Sequence, residues 1–168
     1  FIHIPKNVQV DKPIQVIYFS TGKNESVFYQ PRNLIIVGEN SQVEIIERHQ
    51  SLSENSVLVN SVSEIYCNVR SVVKHYKIQN DKTNASLIDN TFVSQERNSD
   101  YSLHTFSLGG ELTRNNLSII QNGERIESTI NGITIIGANQ HVDHNTLIHH
   151  KKPNCNSCLL YTSDAADD

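Results

Sequence analysis

Apolar and polar side chains alternate with a period of two along most of this chain, and that alternation restricts it to strands. In residues 102–108, His104, Phe106 and Leu108 share one face while Leu103, Thr105 and Ser107 share the other. Segments 34–37, 43–46, 57–65, 69–78, 87–93, 112–120 and 126–136 repeat the pattern and are rich in Val, Ile, Thr, Tyr and Phe. Between them stand Gly38-Glu39-Asn40, Asn80-Asp81, Arg97-Asn98-Ser99, Gly109-Gly110, Asn122-Gly123 and Gly137-Ala138-Asn139. Gly and Asn accept the positive φ that tight turns require. No stretch of a dozen residues carries a helical apolar stripe, so the chain reads as all-β. A sandwich, a barrel and a stacked β-solenoid all suit evenly spaced short strands. Asn84, Asn90, Asn115, Asn116 and Asn131 tilt the reading towards the solenoid, whose stacked coils align amides into ladders. An AT-rich genome, which favours Asn, Ile and Lys codons, accounts for the same asparagines equally well.

At 168 residues and 19.0 kDa the chain is the size of one domain with a real core. Its formal charge of -4 and scattered Lys and Arg give no basic surface for a phosphate backbone, so nucleic acid is not an expected partner. No apolar run is long enough for a membrane span, and the amino end lacks the pattern of a signal peptide. The expectation is a soluble cytoplasmic protein with no membrane partner. Cys67, Cys155 and Cys158 form an odd set with no disulfide framework, which fits a reducing compartment.

The densest candidate for chemistry is residues 141–157, HVDHNTLIHHKKPNCNS, with four of the eight histidines. As a strand, His141–His150 points His141, Asp143, Asn145, Leu147 and His149 one way and Val142, His144, Thr146, Ile148 and His150 the other. His144 and His150 share a face but stand about 20 Å apart, far beyond the span of a shared zinc ion. A helix would pair His141 with His144, yet Val142, Thr146 and Ile148 favour a strand. A ligand set drawn from neighbouring strands, joining one of these histidines to His75 or His104, stays open. It defines the alternative function, a β-solenoid or β-barrel metalloenzyme using this strand. Glu44, Glu47 and His49 suggest acid–base partners, but Glu44 faces away from the other two, and charges near a turn are expected to be solvated. Asp89 and Glu127 read as isolated acids. There is no Gly-x-Ser-x-Gly elbow and no phosphate-binding loop. No catalytic, cofactor-binding or metal residue is therefore assigned.

Two features set expectations about the chain ends. Residues 158–167 are what the codons TGT CTC TTA TAC ACA TCT GAC GCT GCC GAC encode, which resembles read-through into a transposase adapter used in sequencing libraries. The expected domain layout is thus a partial core over 1–157 and a non-native tail over 158–168, which also removes Cys158 from its CxxC pair with Cys155. The chain starts at Phe1 and contains no Met, as an internal fragment would.

Particular strings are then familiar. PRNLIIVGEN at 31–40, SQVEIIERHQSL at 41–52, NSVSEIYC at 60–67, HYKIQND at 75–81, LIDNTFVSQERNSDY at 87–101, FSLGGELTRNNL at 106–117 and QHVDHNTLIHHKKPNCNS at 140–157 occur in order. Together they resemble the SufD branch of the SufB/SufD core family of the SUF iron–sulfur cluster assembly system, in its Bacteroidetes-like form. The resemblance implies a right-handed parallel β-helix, incomplete at both ends, and a non-catalytic scaffold subunit. It implies pairing with a SufB paralogue core to core, and action with the ATPase SufC through a C-terminal helical domain that follows this region. The iron–sulfur cluster is then cargo of the full complex, with no cofactor bound by this fragment. The family's lysine-cysteine-x-histidine-glycine motif lies beyond Ser157, so no cluster ligand is carried over, and His141–His150 does not stand in for it.

A β-helix cut across its coils exposes rows of unpaired backbone groups. Residues 1–157 expressed alone are expected to aggregate or stay partly unfolded. Size-exclusion chromatography and thermal melting check this, and a monodisperse, cooperatively melting monomer is the opposing result.

Overall fold

The computed structural model describes residues 1–21, 25–137 and 139–165, and every regular element among them is a strand. In chain order these are β1 (Ile2–Ile4), β2 (Ile14–Ser20), β3 (Val27–Tyr29), β4 (Arg32–Val37), β5 (Gln42–Ser51), β6 (Val57–Cys67) and β7 (Val72–Gln79). They continue as β8 (Ala85–Gln95), β9 (Asp100–Ser107), β10 (Leu112–Gln121), β11 (Glu127–Ile136), β12 (His141–His150) and β13 (Asn156–Ala165). One sheet runs β1-β4-β6-β8-β10-β12 with β3 also on β6; the other runs β13-β11-β9-β7-β5-β2. Every pairing is parallel. The chain alternates between the sheets, so β4–β5, β6–β7, β8–β9, β10–β11 and β12–β13 each close one coil of a parallel β-helix.

The turn from the first sheet to the second repeats in every coil. Asn7, Asn40, Arg70, Asn98, Arg125 and Asn154 occupy it with φ between 54° and 61°, the left-handed region where Asn is tolerated better than most residues. Their backbones rung the coils together: the Asn7 N–H donates to Glu39 O at 2.9 Å, Asn40 to Val69 at 2.9 Å, Arg70 to Arg97 at 3.0 Å and Asn98 to Glu124 at 3.0 Å. Their side chains add a second ladder, with Asn40 Nδ2 on Asn7 Oδ1 at 3.0 Å and Arg125 Nε on Asn98 Oδ1 at 2.8 Å. This turn also corrects one expected boundary. Val69 was expected inside a strand, but the left-handed Arg70 bends the chain and β7 begins at Val72. The expected turns at Asn40, Asn98, Gly110 and Asn139 all carry positive φ, while Ala138 between Gly137 and Asn139 lies outside the described residues.

Strands β1, β2 and β3 precede or flank the segments expected from alternation, and β13 occupies the stretch read as an adapter tail. Residues 166–168 of that stretch lie outside the described residues. The asparagine ladder is present on the outer face: Asn90 Nδ2 donates to Asn60 Oδ1 at 3.1 Å, and Asn116 Nδ2 to Asn90 Oδ1 at 3.0 Å. Asn115 and Asn131 turn instead to His144 and His104, and Asn84 donates to the backbone oxygens of Ser53 and Asn55.

Alternation buries one face of each strand inside the coils, at roughly 1.5–3 kcal/mol for each large aliphatic side chain taken from water. The main core cluster stacks Ile35, Ile65, Val93 and Ile119 on one wall against Val43, Ile45, Val73, Tyr101, Leu103 and Ile130 on the other. A smaller cluster of Val57, Val59, Ala85 and Leu87 fills the other end of the cross-section. Between the two runs a band of polar side chains.

The left-handed turn makes a direct prediction. Asn98→Val places a β-branched residue at φ 60° and is expected to destabilise the protein by about 1–2 kcal/mol. Asn98→Gly keeps the conformation open and should lie much closer to the parent in thermal melting. Equal melting temperatures for the two variants would contradict the assignment.

Candidate functional site

The polar band follows from register. Ser61 pairs with Asp89, Ser63 with Thr91 and Asn33 with Ser63 on one wall, and Glu47 pairs with Lys77 on the other. All these side chains share the inward face, so the coil presses them against each other across the interior. Lys77 Nζ donates to Asp89 Oδ2 and Thr91 Oγ1, each at 2.5 Å, and lies 3.5 Å from Glu47 Oε2. The Ser61 hydroxyl donates to Asp89 Oδ1 at 2.6 Å. Asn33 Nδ2 donates to Ser63 Oγ at 3.0 Å and to the Tyr18 hydroxyl, and the Tyr18 ring stacks on His49 with centroids 4.5 Å apart. His75 completes the group, with Nδ1 3.0 Å from the Tyr101 hydroxyl and Nε2 3.6 Å from Glu47 Oε2.

Glu47, Lys77 and Asp89 are 1 %, 6 % and 4 % exposed, so their charges meet the protein and hardly any water. Burial pushes the Glu47 carboxyl up, but the Lys77 ammonium, with His75 and His49, outweighs it and holds the group well below the usual carboxylate range. Burial pulls the Lys77 ammonium down, and Asp89 and Glu47 overcome that and raise it. Burial dominates at His49 and keeps it below its ordinary value in spite of Asp89 and Glu47. The result is a fixed ammonium between carboxylates beside a neutral imidazole. A lysine held charged is no nucleophile, and a carboxylate held ionised offers no proton. These groups tie the two walls together.

The expected solvation of Glu47 and His49 is therefore overturned: both face the interior, because they fall in phase with Val43 and Ile45 on β5. Glu44 does lie on the opposite face, half-buried. Asp89 is a member of the network and not isolated, while exposed Glu127 accepts a hydrogen bond from Asn156 at 3.3 Å. The pattern within one strand does not show the cluster, because its cross-coil partners lie 12 to 30 residues apart and meet only after coiling. The one available signal was the run of polar residues on otherwise apolar faces.

The histidine-rich strand is β12, and its sides alternate as expected. His141 and His149 are exposed, and His144 is half-buried between Asn115, Thr134 and the ring of Tyr161, whose centroid is 4.7 Å away. His75 sits in the interior network, and His104 stacks on Tyr76 on the second sheet at 5.0 Å. A cross-strand ligand set joining one of His141, His144, His149 and His150 to His75 or His104 is not among the groups the fold assembles. Among the described residues no three His, Cys, Asp or Glu side chains are placed to hold one metal ion. The Cys155 thiol donates to Gly123 O at 3.3 Å, Cys158 is exposed on β13, and burial raises the Cys67 thiol far above its ordinary value. No helix of the described residues is long and apolar enough to cross a membrane.

Fold and interior together define an all-β parallel coil stack whose buried charges serve its own walls. The chain belongs to the family described as SUF system FeS cluster assembly, SufBD core domain, whose model matches residues 18–168. It is 30% identical over 155 residues to an iron-sulfur cluster assembly SufBD family protein of Synechocystis, covering 87% of this chain and 34% of the relative. It is 33% identical over 128 residues to the chloroplastic protein ABCI7 of Arabidopsis thaliana, covering 73% and 27%, and 29% identical over 166 residues to a SufBD family protein of Staphylococcus epidermidis, covering 97% and 35%. The chain spans about a third of the length of these relatives.

The acid limb of stability comes from the depressed His49 and, in the same direction, from half-buried His144, which burial also holds below its ordinary value. The unfolded chain takes up a proton at each of these histidines below about pH 6.5 while the folded chain resists, so stability is expected to fall as pH drops from there. Glu47 adds to the loss below about pH 4.3, and the raised Asp81 opposes it there, because a carboxyl raised by burial gains as it is protonated. Thermal melting between pH 7 and 5 should show the decline in the parent and a flatter profile in His49→Gln. Identical slopes for the two would remove His49 as a source of it.

Proposed function

We propose that this chain is the core region of a SufD-type scaffold subunit of the SUF iron–sulfur cluster assembly complex. It pairs core to core with a SufB paralogue and acts with the ATPase SufC through a C-terminal domain that follows this region. The observation that carries the reading is the family model's match to residues 18–168, whose described strands pair coil on coil. The ordered strings from Pro31 to Ser157 support the SufD branch over the family at large. The chain contributes shape and contact, without catalysis of its own. It binds no cofactor, metal, nucleic acid or membrane, the cluster being cargo of the whole complex, and it works in the cytoplasm. The domain reading takes 1–157 as family core and 158–168 as adapter-derived, against which stands the family match running on to residue 168.

The test is co-expression of the complete protein, cloned from genomic DNA, with SufB and SufC of the same organism. Co-purification of all three through an affinity tag and gel filtration is expected. Elution of the tagged protein alone, at concentrations where SufB and SufC associate, would overturn the proposal. The genomic clone reads the codons after Ser157 directly.

A further inference from the structure

The interior holds a second polar feature beside the Lys77 network. His49, Gln79 and Ser107 stand in register on β5, β7 and β9, one above the other, and Ser51 follows His49 by two residues on the same inward face. Thr113 enters from β10 of the facing sheet. A Cβ on Gly110 would lie 2.7 Å from Gln79 Nε2 and 3.4 Å from Thr113 Oγ1, so the two side chains flank one glycine. Its φ of 83° is left-handed, which suits glycine and keeps that space free of a side chain.

All five residues are at most 4 % exposed. Their atoms His49 Nδ1, Ser51 Oγ, Gln79 Oε1, Ser107 Oγ and Thr113 Oγ1 have no hydrogen-bond partner among the described residues. A buried polar atom left unpaired loses its hydration with nothing in return, so five on one seam would weigh heavily on a marginally stable fold. The seam therefore calls for a partner from outside the chain. The demands are mixed: Gln79 Oε1 needs a donor, while the hydroxyls and the neutral imidazole can each serve as one or the other. A neutral molecule that both donates and accepts meets them all, and it must fit between two close-packed sheets. Water is that molecule.

A surface cleft lies beside the seam. It has a volume of about 540 Å³ and is lined by Asp81, Asn84, Gly109 and Gln140 among others. Gln79 Nε2 donates to Gly109 O at 2.9 Å and lies 3.4 Å from Asp81 Oδ2, so the floor of the cleft is the wall of the seam. Asn84 Oδ1, at the rim, is buried and unpaired in the same way.

We propose that this seam is a built-in hydration site, a file of ordered water molecules that enters past Gly109 and completes the hydrogen bonds of Ser51, His49, Gln79, Ser107 and Thr113. It adjoins the Lys77 network through His49, which stacks on Tyr18 on one side and enters the seam through Nδ1 on the other.

Thr113→Val in the complete protein tests it, because valine keeps the shape and replaces the hydroxyl by a methyl. Loss of a water-bonded hydroxyl lowers the melting temperature, by about 1–2 °C in a chain several hundred residues long. Loss of a dry, unpaired hydroxyl raises it. A variant as stable as the parent, or more so, overturns the proposal. A crystal structure of the parent decides independently of whether the variant folds: ordered waters within hydrogen-bond distance of these five atoms support the site, and a dry seam overturns it.

Discussion

Lateral hydrogen bonding between identical turns is the interaction on which the rest of the structure depends. Each strand pairs in parallel with the strands one coil before and after, so any coil that changed its turn geometry would shift every residue beyond it out of register. A left-handed residue in each first-to-second-sheet turn, from Asn7 to Asn154, keeps the turns alike. The Asn40–Asn7 and Arg125–Asn98 side-chain bonds reinforce the same stacking from outside. Asparagine tolerates that conformation well, and at Arg70 and Arg125 the neighbouring coil imposes it on a less suited residue.

Once register is set, the interior can hold charge. Glu47, Lys77 and Asp89 sit where a one-residue slip would throw them onto the outer face and bring outward residues such as Ile46 and Ile78 inside. Buried ion pairs contribute little net stability, since desolvation offsets most of the attraction. Their effect here is to separate right register from wrong, with the two apolar clusters supplying the burial energy on either side. The Ser61 and Thr91 hydroxyls complete the coordination of the Lys77–Asp89 pair, so the network sits between hydrophobic layers without leaving that pair exposed.

This division of labour fits a family whose members are named for iron–sulfur cluster assembly. The interior charged residues are locked together, and the outer faces carry the asparagine ladder, aromatic–histidine stacks such as Tyr76 on His104, and exposed apolar side chains such as Phe92 and Leu147. Such a body offers broad, rigid faces for protein contact. β12, the histidine-rich strand, is one more coil wall, with His141, His149 and His150 exposed and His144 half-buried.

The sequence by itself determined that the chain is built of strands, where most of the strands from β4 to β12 lie, and which residues of each share a face, because a period of two is a local property. It placed His141–His150 as a strand with separated histidines for the same reason. Only the tertiary structure decided what the inward faces meet. Glu47 and His49 looked like solvated charges beside a turn, and Asp89 looked isolated, because Lys77, Ser61 and Thr91 reach them from other coils. The start of β7 at Val72 also required the neighbouring turn, since nothing local marks Arg70 as left-handed. Coiling brings together residues far apart in the chain, and no pattern within one strand records its partners.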